Sequence, residues 1–285
     1  MPTITPFDPW KTRQCTCPPK LTLNPYTGCS YQCIYCYATS YIPNFYNCRP
    51  KKNLIPQLKK EANRLKGELI SIANSSDPYP HMEKTLNLTR ACLQVLSKHD
   101  CKIQLITKST LVTRDIDILK KTPSMVSLSI TTDNNRIAKT LEPHAPPPSK
   151  RLKTLKKLTQ KGIPVSARID PIIPLLNDDF SNLIKKLASI GVPHVTCSTY
   201  KAKYDNWKRF TQTFPALAKS LKPLYFERGE RIGRSFYLPE EMRRKIVKNV
   251  KELAEDKGLK FSSCREGLPQ LNSATCDGSW LILRN

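Results

Sequence analysis

The chain has 285 residues, 39% of them hydrophobic, with 47 basic and 23 acidic side chains and a formal net charge of +24. That length suits one large α/β domain, or one domain plus a tail. No apolar run of about 18 or more residues occurs, which predicts no membrane span, and Met1 to Trp10 lacks the basic start and apolar core of a signal peptide. So large a positive charge is expected to draw the protein to a polyanion, nucleic acid being the commonest. The plainer source is a lysine-rich proteome or adaptation to salt or heat. The basic segments lack a strong Trp and Phe face, which argues against an anionic membrane.

Residues 1–20 read as an irregular, proline-rich segment containing Cys15 and Cys17. Lys20 to Asn24 alternates like a short strand and leads into a cysteine-rich loop. A helix is predicted from about Leu54 to Leu65, with Leu54, Leu58, Ala62 and Leu65 on one face. Strands at Glu68–Ala73, Lys102–Thr107, Ser124–Ile130, Ile163–Ile169 and Val192–Ser198 alternate with helices at Lys84–Leu96, Arg114–Lys121, Lys150–Lys161 and Asp178–Ile190. Buried strands alternating with helices imply a parallel sheet. Beyond residue 200 the pattern changes. Tyr204 to Lys222 reads as basic and helical, Phe226 to Phe236 as a charged loop, Pro239 to Lys257 as a strong helix, and Ser279 to Leu283 as a last strand. The organisation expected is therefore a segment 1–20, a core 21–200 and a C-terminal extension 201–285 over the mouth of the core.

The chemistry concentrates in Asn24-Pro25-Tyr26-Thr27-Gly28-Cys29-Ser30-Tyr31-Gln32-Cys33-Ile34-Tyr35-Cys36-Tyr37-Ala38. Cys29, Cys33 and Cys36 stand as C-x3-C-x2-C. Three thiolates can hold three irons of a [4Fe–4S] cube and leave the fourth iron without a protein ligand. Zinc ordinarily takes four protein ligands, commonly as two pairs, and no second pair is near. A disulfide knot suits a chain of this kind poorly. Its eleven cysteines, three of them otherwise engaged, point to a reducing cytoplasm. Gly28 lets the backbone turn just before the first ligand.

This spacing, with Tyr35 before the third cysteine, resembles the radical SAM superfamily. The resemblance implies a partial (β/α)6 TIM-type barrel. It also implies S-adenosylmethionine (AdoMet) chelated on the open iron, and reductive cleavage to a 5′-deoxyadenosyl radical by an electron from a donor such as a ferredoxin or flavodoxin. Ala73-Asn74-Ser75-Ser76-Asp77-Pro78-Tyr79-Pro80, Thr107-Lys108-Ser109, Arg114-Asp115-Ile116, Glu142-Pro143 and Pro171-Ile172-Ile173-Pro174 narrow it to the family of spore photoproduct lyase and its DNA repair photolyase-like relatives. The likeness covers roughly residues 20–200. It implies that Ser76 and Asp77 accept hydrogen bonds from the cofactor's ammonium and that Lys108 pairs with its carboxylate. It further implies that Ser129 contacts the nucleoside, that the Tyr35 backbone lies near the adenine, and that Arg168 reaches the cofactor or a substrate phosphate. Where spore photoproduct lyase carries a hydrogen-donating cysteine, three residues before the aspartate, this chain has Asn74, which has no S–H to give.

Cys92, Cys101 and Cys197 read as small buried hydrophobes. Cys15, Cys17, Cys264 and Cys276 would form a four-thiolate zinc site or second cluster if the tail folds back on the N-terminal segment. Cys264 or Cys276 is alternatively a hydrogen-atom source. Basic runs at Lys150–Lys161, Lys201–Arg209, Arg228–Arg234 and Arg243–Lys251 suit a nucleic acid. Tyr200, Tyr204, Trp207 and Phe210 serve either as stacking platforms for unpaired bases or as core aromatics. His81, His99, His144 and His194 form no ligand pair and read as loop or surface residues. The sequence thus points to a radical SAM enzyme acting on nucleic acid. Its rivals are modification of a protein or small molecule, and a non-catalytic iron–sulfur or nucleic-acid-binding protein.

Overall fold

The computed structural model describes residues 2–7 and 14–284; Met1 and residues 8–13 of the irregular N-terminal segment lie outside the described residues. Eight strands form one sheet: β1 (Ile4–Pro6), β2 (Leu21–Leu23), β3 (Leu69–Ile72), β4 (Lys102–Thr107), β5 (Ser124–Ser129), β6 (Val165–Ile172), β7 (His194–Thr199) and β8 (Lys260–Ser263), in that spatial order. β1 is antiparallel to β2, and every later neighbour is parallel. The order does not return on itself, so the barrel is open between its edge strands.

Strand side chains alternate between two environments because the pleat has a period of two. Ile70, Ile72, Ile103, Leu105, Val126, Leu128, Val165, Ala167 and Val195 enter the main hydrophobic core. Helices α1 (Leu54–Glu61), α2 (Leu88–Leu96), α4 (Pro148–Gln160), α5 (Ser181–Ile190) and α8 (Glu240–Glu255) supply apolar side chains to the same core. The other parity is mostly polar. Ser166 Oγ lies 2.8 Å from His194 Nδ1, His194 Nε2 lies 3.0 Å from Ser262 Oγ, and Gln104 donates to the Asp277 carbonyl at 2.9 Å. Much of this polar strand face is satisfied because its groups bond one another and the C-terminal tail, while Ser127 Oγ is buried without a partner among the described residues.

That tail plugs the barrel near the strands' amino ends. Lys20 and Asp277 form a 2.5 Å ion pair that is almost fully buried. Leu281 and Ile282 pack on Met125. Gly278 has φ +77°, and a methyl group there would stand 3.0 Å from His194 Nδ1 and 3.2 Å from Ser166 Cβ.

Several expectations change. Ser279–Leu283 is a 3-10 turn, spanning Ser279–Arg284, and not a strand; it plugs the sheet where a last strand was expected. Tyr204–Lys222 is two helices, α6 (Tyr204–Thr213) and α7 (Pro215–Phe226), because Pro215 has no N–H to continue the first and is suited to start the second. The charged loop contains a ribbon, Glu230–Ile232 against Ser235–Tyr237. A helix, α3 (Asn135–Leu141), was not foreseen; Asn134 caps it by accepting from Arg136 N and Ile137 N. The extension also lends β8 to the core sheet. His194 is buried in β7 rather than on a surface, and burial holds its pKa down to about 4, so it stays neutral.

Gly278→Ala should destabilise the fold by about 1–3 kcal/mol, through crowding and the strained φ. A denaturant titration that leaves the midpoint unchanged would show that the plug contributes little.

Candidate radical SAM site

The loop between β2 and Ala38 has almost no regular structure, so its polar backbone must find partners elsewhere. Gly28 has φ +80°, and a Cβ there would lie 2.3 Å from the Phe45 carbonyl oxygen, which also accepts from Cys29 N at 2.8 Å. Only glycine fits. Ile34 N donates to Leu141 O at 3.0 Å. From α6, Asn206 Nδ2 donates to Tyr35 O, while Arg209 donates to Ile34 O, Cys36 O and Thr39 Oγ1. Upstream, Tyr26 OH donates to Glu83, which also receives Arg114. Asp115 receives Arg90, Arg114 and the Tyr79 hydroxyl. The Asn-Pro-Tyr and Arg-Asp-Ile motifs thus meet in one ion-paired buttress behind the loop.

Cys29 and Cys33 are buried and Cys36 is half-buried. Burial pushes the thiols up, to about 12 for Cys29 and Cys33 and about 11 for Cys36. The nearby backbone N–H groups of Tyr31 and Asp77 favour the thiolate of Cys29, and that of Ala38 the thiolate of Cys36. Lys108 favours the thiolate of Cys33, and Lys108 and Arg209 that of Cys36. Three soft sulfurs in one loop, with amide donors and cations against them, fit an iron–sulfur cluster. Among the described residues no three His, Cys, Asp or Glu side chains are set to hold a metal ion. A cubane, whose ligands grip separate irons, asks for wider spacing than one ion does.

The strand ends above this loop carry the other candidates. Asp77 accepts from Tyr79 N (2.9 Å), Thr107 Oγ1 (2.7 Å) and Lys108 N (2.7 Å). Burial raises its pKa, against these bonds. Ser76 Oγ donates to Tyr26 O at 3.1 Å. Asp77 therefore ties the β3 loop to the end of β4, with carboxylate lone-pair capacity left for a further donor. Lys108 Nζ lies 3.9 Å from Glu142 Oε1 and 5.6 Å from the Tyr35 ring centroid. Ser129 is buried at the end of β5, its carbonyl taken by Arg151. Arg168 pairs with Asp170 at 2.8 Å and neighbours Cys264. Asn74 bonds Thr22 and Ser71 through its amide.

Sequence reasoning missed the centre of this network. Glu142 is fully buried and accepts from Arg151, the Tyr35 hydroxyl and Thr131 Oγ1, the last at 2.6 Å. Burial alone would raise its pKa; Arg151, Lys108 and the hydrogen bonds overcome this and hold it at about 2. Glu142-Pro143 was visible as a motif, but nothing in the spacing linked it to Arg151, which reads as one more cation of a basic helix.

Other groupings resolve differently from expectation. The four thiols come near one another without forming a metal site: Cys17 and Cys276 touch, Sγ to Sγ 3.2 Å, Cys15 lies against Cys17 and Cys264 faces Arg168, but among the described residues no three of them are set to hold a metal ion. Tyr200 and Phe210 are buried in a second core with Trp207 packed against them, whereas Tyr204 is 72% exposed. Arg243, counted in a basic run, is buried against Glu230 and Glu266.

Comparison with known proteins gives this geometry its class. Residues 23–199 match the model of the Radical SAM superfamily, and the chain belongs to that superfamily. Membership implies a [4Fe–4S] cluster and AdoMet. An uncharacterized protein of Methanocaldococcus jannaschii is 39% identical over 167 residues, 56% of this chain and 62% of that protein. An uncharacterized protein of Acidianus two-tailed virus is 31% identical over 198 residues, 61% of this chain and 64% of that protein. The chain thus spans less than two thirds of these relatives' length. A spore photoproduct lyase variant with bound AdoMet and dinucleoside spore photoproduct has the same fold, with TM-score 0.63 at 17% identity over 85% of this chain and 75% of that one. Streptococcus suis SuiB, bound to S-adenosylmethionine, has TM-score 0.56 and 13% identity over 85% of this chain and 49% of that one. At these identities the two structures show a shared fold. Among the described residues no helix is long and apolar enough to cross a membrane.

Glu142 has a depressed folded pKa, so its contribution is full above the unfolded value of about 4.5 and is lost as pH falls toward about 2. The shift corresponds to roughly 3 kcal/mol. Glu142→Gln should lose about that much at pH 7, by leaving Arg151 buried and unpaired, and its stability should then fall less steeply than wild type between pH 4.5 and 2. Parallel acid-denaturation curves for the two proteins would contradict this.

Proposed function

We propose that the protein is a radical SAM enzyme acting on a nucleic acid, as lesion repair or base modification. Cys29, Cys33 and Cys36 would hold the cluster, which with bound AdoMet supplies a 5′-deoxyadenosyl radical for hydrogen abstraction. Ser76 and Asp77 would orient the cofactor's ammonium, Lys108 its carboxylate, Ser129 and the Tyr35 backbone its nucleoside, and Arg168 the cofactor or a substrate phosphate. The observation that carries the cofactor assignment is the convergence of the three-cysteine loop with Asp77 and Lys108 at the carboxyl ends of parallel strands, where such folds bind ligands.

The nucleic-acid part rests on the net charge of +24 and on the rim beside the cluster loop. Tyr37 and Tyr41 stack there with both rings partly exposed, and Lys203 lies over Tyr41 beside exposed Tyr204. Aromatics next to cations suit unpaired bases. The spore photoproduct lyase neighbour holds a dinucleoside lesion. SuiB, a fold neighbour bound to a precursor peptide, represents the rival reading. Thymine-dimer reversal through a thiol at the β3 loop is not the reaction proposed, because Asn74 stands there with its amide engaged. The electron would come from a ferredoxin- or flavodoxin-type donor, and the setting would be cytoplasmic.

Reconstituted, reduced protein should form 5′-deoxyadenosine from AdoMet. Cys33→Ala should form none. Lys108→Met should weaken AdoMet binding about 10- to 100-fold, the worth of a charge-assisted hydrogen bond. If Lys108→Met binds AdoMet as wild type does, the cofactor assignment of that residue fails.

Single-stranded oligonucleotide should bind with an affinity that falls steeply between about 50 and 200 mM salt. A flat salt response, or no retention on heparin, would turn the reading toward a peptide or small molecule. Where binding is salt-dependent as expected, nucleic acid left unmodified in a deletion strain would identify the substrate.

A further inference from the structure

The two ends of the chain meet where the sheet stops. Segment 14–20, which feeds β2, the neighbour of edge strand β1, lies against the tail beyond β8. Gln14 abuts Gly267, Lys20 pairs with Asp277, and the Cys17 and Cys276 sulfurs are 3.2 Å apart. We propose that Cys17 and Cys276 are a reversible dithiol–disulfide pair that staples the open seam of the barrel.

A disulfide bond is about 2.05 Å long, so the sulfurs are in non-bonded contact and need only a small approach. The backbone behind Cys276 is fixed: its carbonyl accepts from Thr196 Oγ1 at 3.0 Å and from Ser262 Oγ at 3.1 Å. Cys276 is buried, while Cys17 is partly exposed, so Cys17 is the sulfur that an outside reagent meets. Hydrogen bonds from the Cys15 and Cys276 thiols favour the Cys17 thiolate, as does the Lys20 ammonium; burial and Asp277 oppose them. Cys17 is therefore the nucleophile and Cys276 the proton-bearing partner. Cys15, against Cys17, is the competing partner; the other eight cysteines are placed for other things. Cys29, Cys33 and Cys36 serve the cluster loop, Cys92, Cys101 and Cys197 lie in the core, Cys48 faces the Gly28 carbonyl, and Cys264 faces Arg168.

The oxidant is a disulfide of a small thiol or of a protein. The Cys17 thiolate attacks one of its sulfurs, the oxidant's S–S bond breaks, and one thiolate leaves. Cys276 then gives up its proton and attacks the Cys17 sulfur of the mixed disulfide, expelling the second thiolate. Two electrons and the thiol protons pass to the oxidant, which ends as two thiols. In a reducing compartment such a bond is transient and responsive rather than permanent. It would close a loop over a separation of 259 residues, and in the chain-entropy model long loops gain most.

The test equilibrates the anaerobically reconstituted full chain with oxidised or reduced glutathione, blocks free thiols and maps linked peptides by mass spectrometry. A Cys17–Cys276 link should appear in the oxidised sample, vanish on reduction, persist in Cys15→Ser and be lost in Cys276→Ser. Oxidation should raise the unfolding midpoint of wild type by roughly 10 °C, with cluster absorbance unchanged, and leave Cys276→Ser where it was. The proposal is overturned by a Cys15–Cys17 link in its place, by no link at all, or by zinc or iron beyond the cluster that is lost with Cys17→Ser. Peptide mapping of wild type decides the matter even if a variant fails to fold.

Discussion

Glu142 is a carboxylate with essentially no water, held charged by Arg151, Lys108, Tyr35 and Thr131. Desolvating a lone carboxylate would be prohibitive, and the arrangement survives because three hydrogen bonds and two nearby cations offset the loss of water. Its partners come from the cysteine loop, the end of β4, the loop after β5 and the start of α4. One side chain therefore fixes how four separate pieces of the mouth sit relative to one another. The lysine proposed to meet the cofactor is positioned by the same carboxylate, so the electrostatics of the mouth and its shape are one problem.

The same logic runs through the barrel. Its helix-facing side is ordinary apolar packing, but its other face carries serine, threonine, glutamine, histidine and arginine. Many of these groups bond one another, Lys20, or the plug formed by the tail. The polar interior explains why the tail enters the sheet's lower end with an ion pair and with carbonyls that accept from strand hydroxyls. It also explains why the tail could not be replaced by a purely hydrophobic strap. The extension acts at the mouth as well, through the amide of Asn206 and the guanidinium of Arg209 on the carbonyls of the cysteine loop.

Much of this was legible from the residues. Strand and helix periodicity located the repeating units, because apolar side chains recur at the spacing each element buries. The face of α1 is the one that Leu54, Leu58, Ala62 and Leu65 predict. Gly28 before the first cysteine marked a turn that admits no side chain. What escaped was long-range pairing. Arg151 and Arg243 look like members of cationic runs until Glu142, Glu230 and Glu266 are brought to them. Trp207 and Phe210 look like stacking surfaces until α7 covers them. Lys260–Ser263 is too short to be read as a strand, and becomes one because β7 offers an unpaired edge. Of the four outer cysteines expected to share a metal, Cys17 meets Cys276 across the seam and Cys15 beside it, a proximity that spacing alone did not assign.

The clasp that Asn206 and Arg209 place on the Tyr35, Ile34 and Cys36 carbonyls makes the region matched by the superfamily, residues 23–199, structurally dependent on the C-terminal extension. A chain ending at residue 199 would keep all three thiols and both strand-end loops, yet leave several backbone oxygens of the cysteine loop without donors. Divergence in α6 is therefore not free to drift. A change at position 206 or 209 alters the grip on the first segment of the core, and swapping C-terminal halves between relatives would transplant the wrong fingers onto a loop shaped for others.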